Sequence, residues 1–321
     1  MRRYLAVLGV DLLPSRRALR RGVPAGLAAA LVSFALNACG SAPAQAPGTA
    51  SVVSAPVRVA HTSLGAVGYR VVGSGPPLVL IMGYGEPMED WDPVLVHAFA
   101  QHNRVVMFDN AGIGQTQQLP PPLSIDAMAD QTSALITTLH LGRPDVLGWS
   151  MGGMIAQALA VLHPAQVRRL ILCATNPGNG QAVVPAALAR EGSSDVPISQ
   201  ASDFPANQGS AFSAFKAAIA EYPPAPAVSP ATKGVQELAL SDWWAGNDPA
   251  GHEIAQISVP TLVADGTDDQ KVPLANDHVL ARLIPGARLV LYPDAGHAFL
   301  FQDWTRFAPL VESFLTGHPG S

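Results

Sequence analysis

From about residue 57 onward, short aliphatic runs alternate with stretches of helical apolar spacing, and this rhythm leaves few architectures open. "AVGYRVVGSG", "PPLVLIMGYG", "RVVMFD", "PDVLGW", "VRRLILCAT", "PTLVADG" and "ARLVLYP" are bounded by Gly, Pro or polar residues, which marks them as strands. Between them lie "WDPVLVHAFAQ", "SIDAMADQTSALITTLHL" with a Ser cap, "MGGMIAQALAVLH", "NDHVLARLI" and "FAPLVESFL", all with helical periodicity. Strands apolar on both faces, each followed by a helix, are covered by helices on both sides. The expected fold is therefore α/β, a mostly parallel, doubly wound sheet.

The rhythm breaks between about residues 177 and 253, where Pro, Gly, Ser and Ala crowd together ("EYPPAPAVSP") around short helices such as "SAFSAFKAAIAEY" and "KGVQELALSDWWAG". One α/β domain over residues 61–318, carrying this stretch as an insertion after a strand end, is the simplest organisation. With 48% hydrophobic and 13% charged residues, the composition is globular. The net charge of −5, with no long Lys/Arg run, speaks against nucleic-acid binding.

The front of the chain has a different character. Residues 1–38 hold six arginines and one acid, leaving 13 bases and 23 acids for the remainder. An arginine-rich start followed by "GVPAGLAAALVSFALNA" reads as a signal peptide over residues 1–38, its apolar core short of the roughly 20 residues of a spanning helix. "SRRALR" resembles the twin-arginine export signal, and "LNACGS" resembles the bacterial lipobox. The second resemblance implies that Cys39 is diacylglycerated and becomes the mature N-terminus. Residues 39–60, rich in Ala, Pro, Gly and Ser, then form a flexible tether. The expected location is the cell envelope, by lipid anchor, with ordinary secretion as the alternative. The other cysteine, Cys173, sits in an aliphatic strand and is expected to be a buried, inert thiol.

One handover from strand to helix is unusual. In "DVLGWSMGGMIAQALAV" the residues Gly148-Trp149-Ser150-Met151-Gly152 spell G-x-S-x-G between a predicted strand and a predicted helix. Such a turn strains the serine backbone, lifts Oγ above the sheet and places it at the positive end of the helix. A serine nucleophile needs a base, and the base needs an orienting acid. Of nine histidines only His297 lies in a Gly-flanked loop after the predicted last strand ("LYPDAGHAFL"). The loop after the preceding strand, "LVADGTDDQKVP", offers Asp265, Asp268 and Asp269.

Taken in order, the oxyanion-type loop "VLIMGYGEPMEDWDP", the strand and turn "VVMFDNAGIGQT", the elbow "LGWSMGGMIA", the acid loop and the histidine loop resemble the α/β-hydrolase superfamily. The likeness runs from about Gly65 to Phe314 and is to the cap-bearing esterase, lactonase and haloperoxidase branch. It implies Ser150 as nucleophile, His297 as base and Asp269 as acid, because the family acid is the fourth residue of G-x-x-D-x-x-V-P. It also implies an oxyanion hole from the amides of Tyr84 and Met151, and a cap formed by the 177–253 insertion. Trp243 and Trp244 of that cap are candidates to line the substrate pocket, or else packing anchors. Two positions depart from the family pattern: Met82 replaces the usual His before the loop glycine, and Ala111 replaces the arginine of D-x-R-G-x-G. Local repacking is expected at the second.

Serine at the elbow argues against dehalogenase and epoxide hydrolase chemistry, which use Asp there. No His/Cys cluster or phosphate loop points to a metal or cofactor. The expected activity is hydrolysis of a small, largely apolar carboxylic ester or lactone through an acyl-enzyme. The same triad also serves cofactor-free haloperoxidases and carbon–carbon bond hydrolases, and the same scaffold serves non-catalytic binding proteins.

Overall fold

The computed structural model describes residues 10–12, 48–185 and 200–317. Cys39 and most of the leader and tether lie outside these residues, as does the 186–199 part of the insertion. One sheet organises the rest. Its strands are β1 (Val10–Leu12), β2 (Arg58–Thr62), β3 (Gly65–Val72), β4 (Pro77–Ile81), β5 (Arg104–Phe108), β6 (Asp145–Trp149), β7 (Leu170–Cys173), β8 (Thr261–Gly266) and β9 (Arg288–Tyr292). They lie in the order β1-β9-β8-β7-β6-β4-β5-β3-β2. Pairing is parallel from β1 across to β5 and antiparallel for β3 and β2. The three-residue β1 belongs to the stretch read as leader and runs beside β9, with Val10 opposite Leu289.

Alternating side chains of the same strand feed two cores. Val79 and Ile81 of β4 join one, and Leu78 and Leu80 join the other; all four are fully buried. Burial of that kind stabilises by roughly 1.5–3 kcal/mol per large aliphatic side chain. The first core is closed by α3 (Ile125–Thr138) and α4 (Met151–Leu162), and the second by α2 (Pro93–Ala100) and α10 (Trp304–Thr316). Helix starts follow local chemistry. Asp92 accepts from the Val94 amide ahead of Pro93, and Ser124 accepts from the Ala127 amide, as the Ser cap in the sequence predicts.

A short α1 (Ala50–Val53) precedes the sheet. The insertion contributes α5 (Gly209–Ile219), α6 (Pro230–Ala245) and α7 (Pro249–His252), after which come α8 (Ala275–Leu283) and α9 (Phe299–Gln302). The described part of the insertion does not form a separate lobe. Phe204, Phe215, Ile219 and Tyr222 pack into the second core, whereas Ala239, Leu240, Trp243, Ala250 and Ile254 pack into the first.

Strand order reverses at β4, which has β5 on one side and β6 on the other. Ligand sites of open α/β sheets lie outside the carboxyl ends of strands at such a switch point. The loops after β4, β6, β8 and β9 carry the oxyanion-type motif, Ser150, Asp269 and His297, respectively.

Candidate active site

Ser150 has φ 55° and ψ −120°, a conformation L-residues rarely adopt and one that costs on the order of 1–3 kcal/mol. The surrounding glycines are needed because the turn is so tight. A Cβ on Gly148 would lie 2.1 Å from the Gly152 carbonyl oxygen, and one on Gly152 would lie 2.0 Å from that of Ile81. The turn is held by Ser150 N–H donating to Cys173 O at 2.9 Å and by Thr175 Oγ1 donating to Ser150 O at 2.7 Å. Ser150 thus sits at the N-terminus of α4, whose dipole favours negative charge there.

The three aspartates of the acid loop separate cleanly. Asp269 Oδ2 lies 2.7 Å from His297 Nδ1, and its Oδ1 accepts from the amides of Lys271 (2.7 Å) and Val272 (2.9 Å). Asp268 is exposed. Asp265 is fully buried against Asp277 of α8, its Oδ1 accepts from the Gly266 amide in place of the histidine, and burial raises both carboxyls well above the usual range. Two carboxyls sharing one buried site disfavour the state in which both are ionised.

His297 is buried and braced from below by Trp149, the residue before the serine. Their rings are 5.3 Å apart, and the indole Nε1 donates to His297 O at 3.0 Å. Ser150 and His297 border the same cavity, of about 60 Å³. The described residues form no Ser150–His297 hydrogen bond, a contact that in unliganded sites often tightens only with substrate.

Gly83 packs against the elbow, where a Cβ would lie 3.5 Å from that of Ser150. Among the described residues, the amides of Tyr84 and Met151 have no hydrogen-bond acceptor. The loop between Met82 and Gly85 is instead pinned by neighbouring side-chain amides. Asn110 Nδ2 donates to Met82 O at 2.9 Å, and the Gly85 amide donates to Gln236 Oε1 at 2.9 Å. At the other departure, Ala111 is fully buried and its carbonyl accepts from Gln236 Nε2 at 3.2 Å, so a side chain of the insertion fills in beside the position of the family arginine. Asp109, without that arginine, is pushed up to about 7 by burial.

The two tryptophans of α6 have different fates. Trp244 lines the cavity. Trp243 does not, which corrects the expectation of a pocket role for it. It is fully buried, donates Nε1 to Asn176 O at 3.2 Å, and its ring leaves no room for a Cβ on Gly178. Two cavity residues had no sequence signal of their own, Asp203 of the insertion and Lys271 of the acid loop. They form an ion pair beside the histidine, with Asp203 buried and Lys271 half-buried. The backbone of Asp203 also accepts from the Ala298 amide at 2.9 Å, tying the insertion to the histidine loop.

Comparison with known proteins agrees with this fold. Residues 76–303 match the alpha/beta hydrolase fold family. A pimeloyl-[acyl-carrier protein] methyl ester esterase of Pseudoalteromonas atlantica is 36% identical over 118 residues, which are 36% of this chain and 43% of that enzyme's length. A poly(3-hydroxyalkanoate) depolymerase of Ectopseudomonas oleovorans is 29% identical over 74% of this chain and 84% of its own. The enol-lactonase of Burkholderia xenovorans LB400 superposes with a TM-score of 0.64 at 25% identity, covering 81% of this chain and all of its own. The chain is a member of the alpha/beta hydrolase family.

Proposed function

We propose that the protein is a serine hydrolase that cleaves a small, largely apolar carboxylic ester or lactone through an acyl-enzyme. The observation that carries this reading is the Asp269–His297 pair, at 2.7 Å, facing the cavity onto which the strained Ser150 opens. In this scheme the carboxylate holds Nδ1 protonated, which leaves Nε2 free to take the serine proton. Ser150 Oγ attacks the carbonyl carbon, and the amides of Tyr84 and Met151 receive the developing oxyanion. Donors fixed in place for charge that appears only in the transition state are worth about 3 kcal/mol each. His297 then protonates the leaving alcohol, and water, activated by the same imidazole, releases the acyl group.

The apolar walls of the cavity, Trp149, Leu240 and Trp244 among them, support an apolar acyl or ring portion. The esterase, depolymerase and enol-lactonase similarities support ester or lactone chemistry. The test is covalent labelling of Ser150 by a fluorophosphonate, together with turnover of p-nitrophenyl esters of graded chain length and of lactones. A wild type that neither labels nor turns over any of them would remove the hydrolase reading.

A further inference from the structure

Gln236 is a neutral polar side chain on the cap helix α6, and it is fully buried. Its carboxamide is used at both ends: Oε1 accepts from the Gly85 amide at 2.9 Å, and Nε2 donates to Ala111 O at 3.2 Å. Gly85 follows Tyr84 directly and has φ +66°, a turn that glycine makes without strain, so what fixes the direction of its amide is the hydrogen bond to Gln236. The hold at the other end comes from Asn110, the neighbour of Ala111, through Met82 O. Thr232, one turn before Gln236, adds a third tie, its Oγ1 donating to Gly112 O at 3.2 Å. A buried amide with both its donor and its acceptor used fixes orientation as well as distance.

We infer that Gln236 is a positioning residue, through which the cap sets the orientation of the Tyr84 amide in the oxyanion hole. This rests on the hydrolase reading above. With the Gly85 N–H turned outward to the cap, the loop can rotate little about Tyr84, and the Tyr84 N–H stays aimed at the site. A cap that shifts on α6 carries the oxyanion donor with it, so turnover depends on how the cap is seated over the bound substrate.

Gln236→Met keeps the volume and removes both hydrogen bonds. Outright loss of an oxyanion donor costs about 10²–10³ in turnover. For misorientation of one donor we expect kcat on p-nitrophenyl acetate to fall roughly tenfold, with KM within about twofold. Fluorophosphonate labelling of Ser150 should slow by the same factor, because its phosphoryl oxygen uses the same donors.

Gln236→Glu is the second variant, in case the methionine form is poorly folded. Its carboxyl still accepts from Gly85, but it can donate to Ala111 O only when protonated. Its activity relative to the wild type at the same pH should therefore be highest at low pH and fall as pH rises, a limb absent from the wild type. Wild-type kcat per labelled site in Gln236→Met, or a wild-type pH profile in Gln236→Glu, overturns the inference while leaving the hydrolase reading intact. An unlabelled, inactive wild type overturns both.

Discussion

Replacing Asp269 by Asn changes one atom, and its consequence follows from three hydrogen bonds. Oδ1 of Asp269 accepts from two backbone amides, Lys271 and Val272, and Oδ2 faces His297 Nδ1. In Asp269→Asn the side-chain oxygen should keep the two amides, because flipping the group would set its NH₂ against both N–H donors and leave them buried and unpaired. That alternative costs about 1–3 kcal/mol per orphaned donor. The NH₂ therefore faces Nδ1, the imidazole is forced to carry its proton on Nε2, and it cannot take one from Ser150. Loss of the correct tautomer lowers turnover by about 10⁴, or about 5 kcal/mol. Asp268→Asn, one position away at an exposed site, should cost less than about threefold. Steady-state kcat on a p-nitrophenyl ester, corrected for active sites by fluorophosphonate titration, measures both. If Asp269→Asn kept more than a tenth of wild-type turnover, or if Asp268→Asn were the crippled variant, the tautomer argument would be wrong.

Ser150→Ala should lose about 10⁴-fold or more in turnover, since nucleophile and base act as a unit; near-wild-type rates would exclude the mechanism. Ser150→Gly should be equally inactive yet raise stability by about 1–2 kcal/mol in thermal or urea unfolding, because glycine adopts φ 55° without strain. Asp109, pushed up to about 7 by burial, holds a proton in the folded chain that the unfolded chain releases near pH 4. Its contribution is complete below that pH and is lost as pH rises through about 7, a drop on the order of 2–4 kcal/mol. Asp109→Asn keeps the acceptor for the Met88 amide and should flatten this decline, so parallel Tm curves from pH 5 to 8 would contradict it. For the lipobox resemblance, Cys39→Ser should move the enzyme from the membrane fraction to soluble or unprocessed material without changing specific activity, because stable anchoring takes at least two acyl chains. Absence of palmitate label on a wild type whose mature N-terminus lies beyond Cys39 would favour ordinary secretion.

The parallel strands, their helices and the elbow were readable because each is written in local spacing. β2 was not: "RVAHT" buries only Ala60, and its antiparallel pairing with β3 supplies what an apolar run would otherwise announce. The short α9, "FLFQ", offers too few residues for any period to show. Trp243 and Trp244 are adjacent in sequence, and about 100° of helical rotation sends one into the core and the other to the cavity. Spacing along α6 alone does not say which face meets the site. Gln236 and Gly85 are 151 positions apart, and Asp203 reaches the histidine loop from the end of a single 3₁₀ turn. Contacts of that range have no signature in a single sequence.

The division of the insertion between the two cores bears on how the molecule unfolds. A lobe with its own core can melt, be clipped off or be exchanged while its host stands. Here α5 shares side-chain packing with α2 and α9 on one face of the sheet, and α6 and α7 share it with α3 and α4 on the other. Loosening the insertion therefore opens both cores at once, and the molecule behaves as one cooperative unit in place of two. Native-state hydrogen exchange should find the amides of α6 protected with nearly the free energy of the central strands. Variation in substrate choice would then come one side chain at a time, by substitution on the cavity-facing side of α6, because exchanging the whole insertion would expose both faces of the sheet.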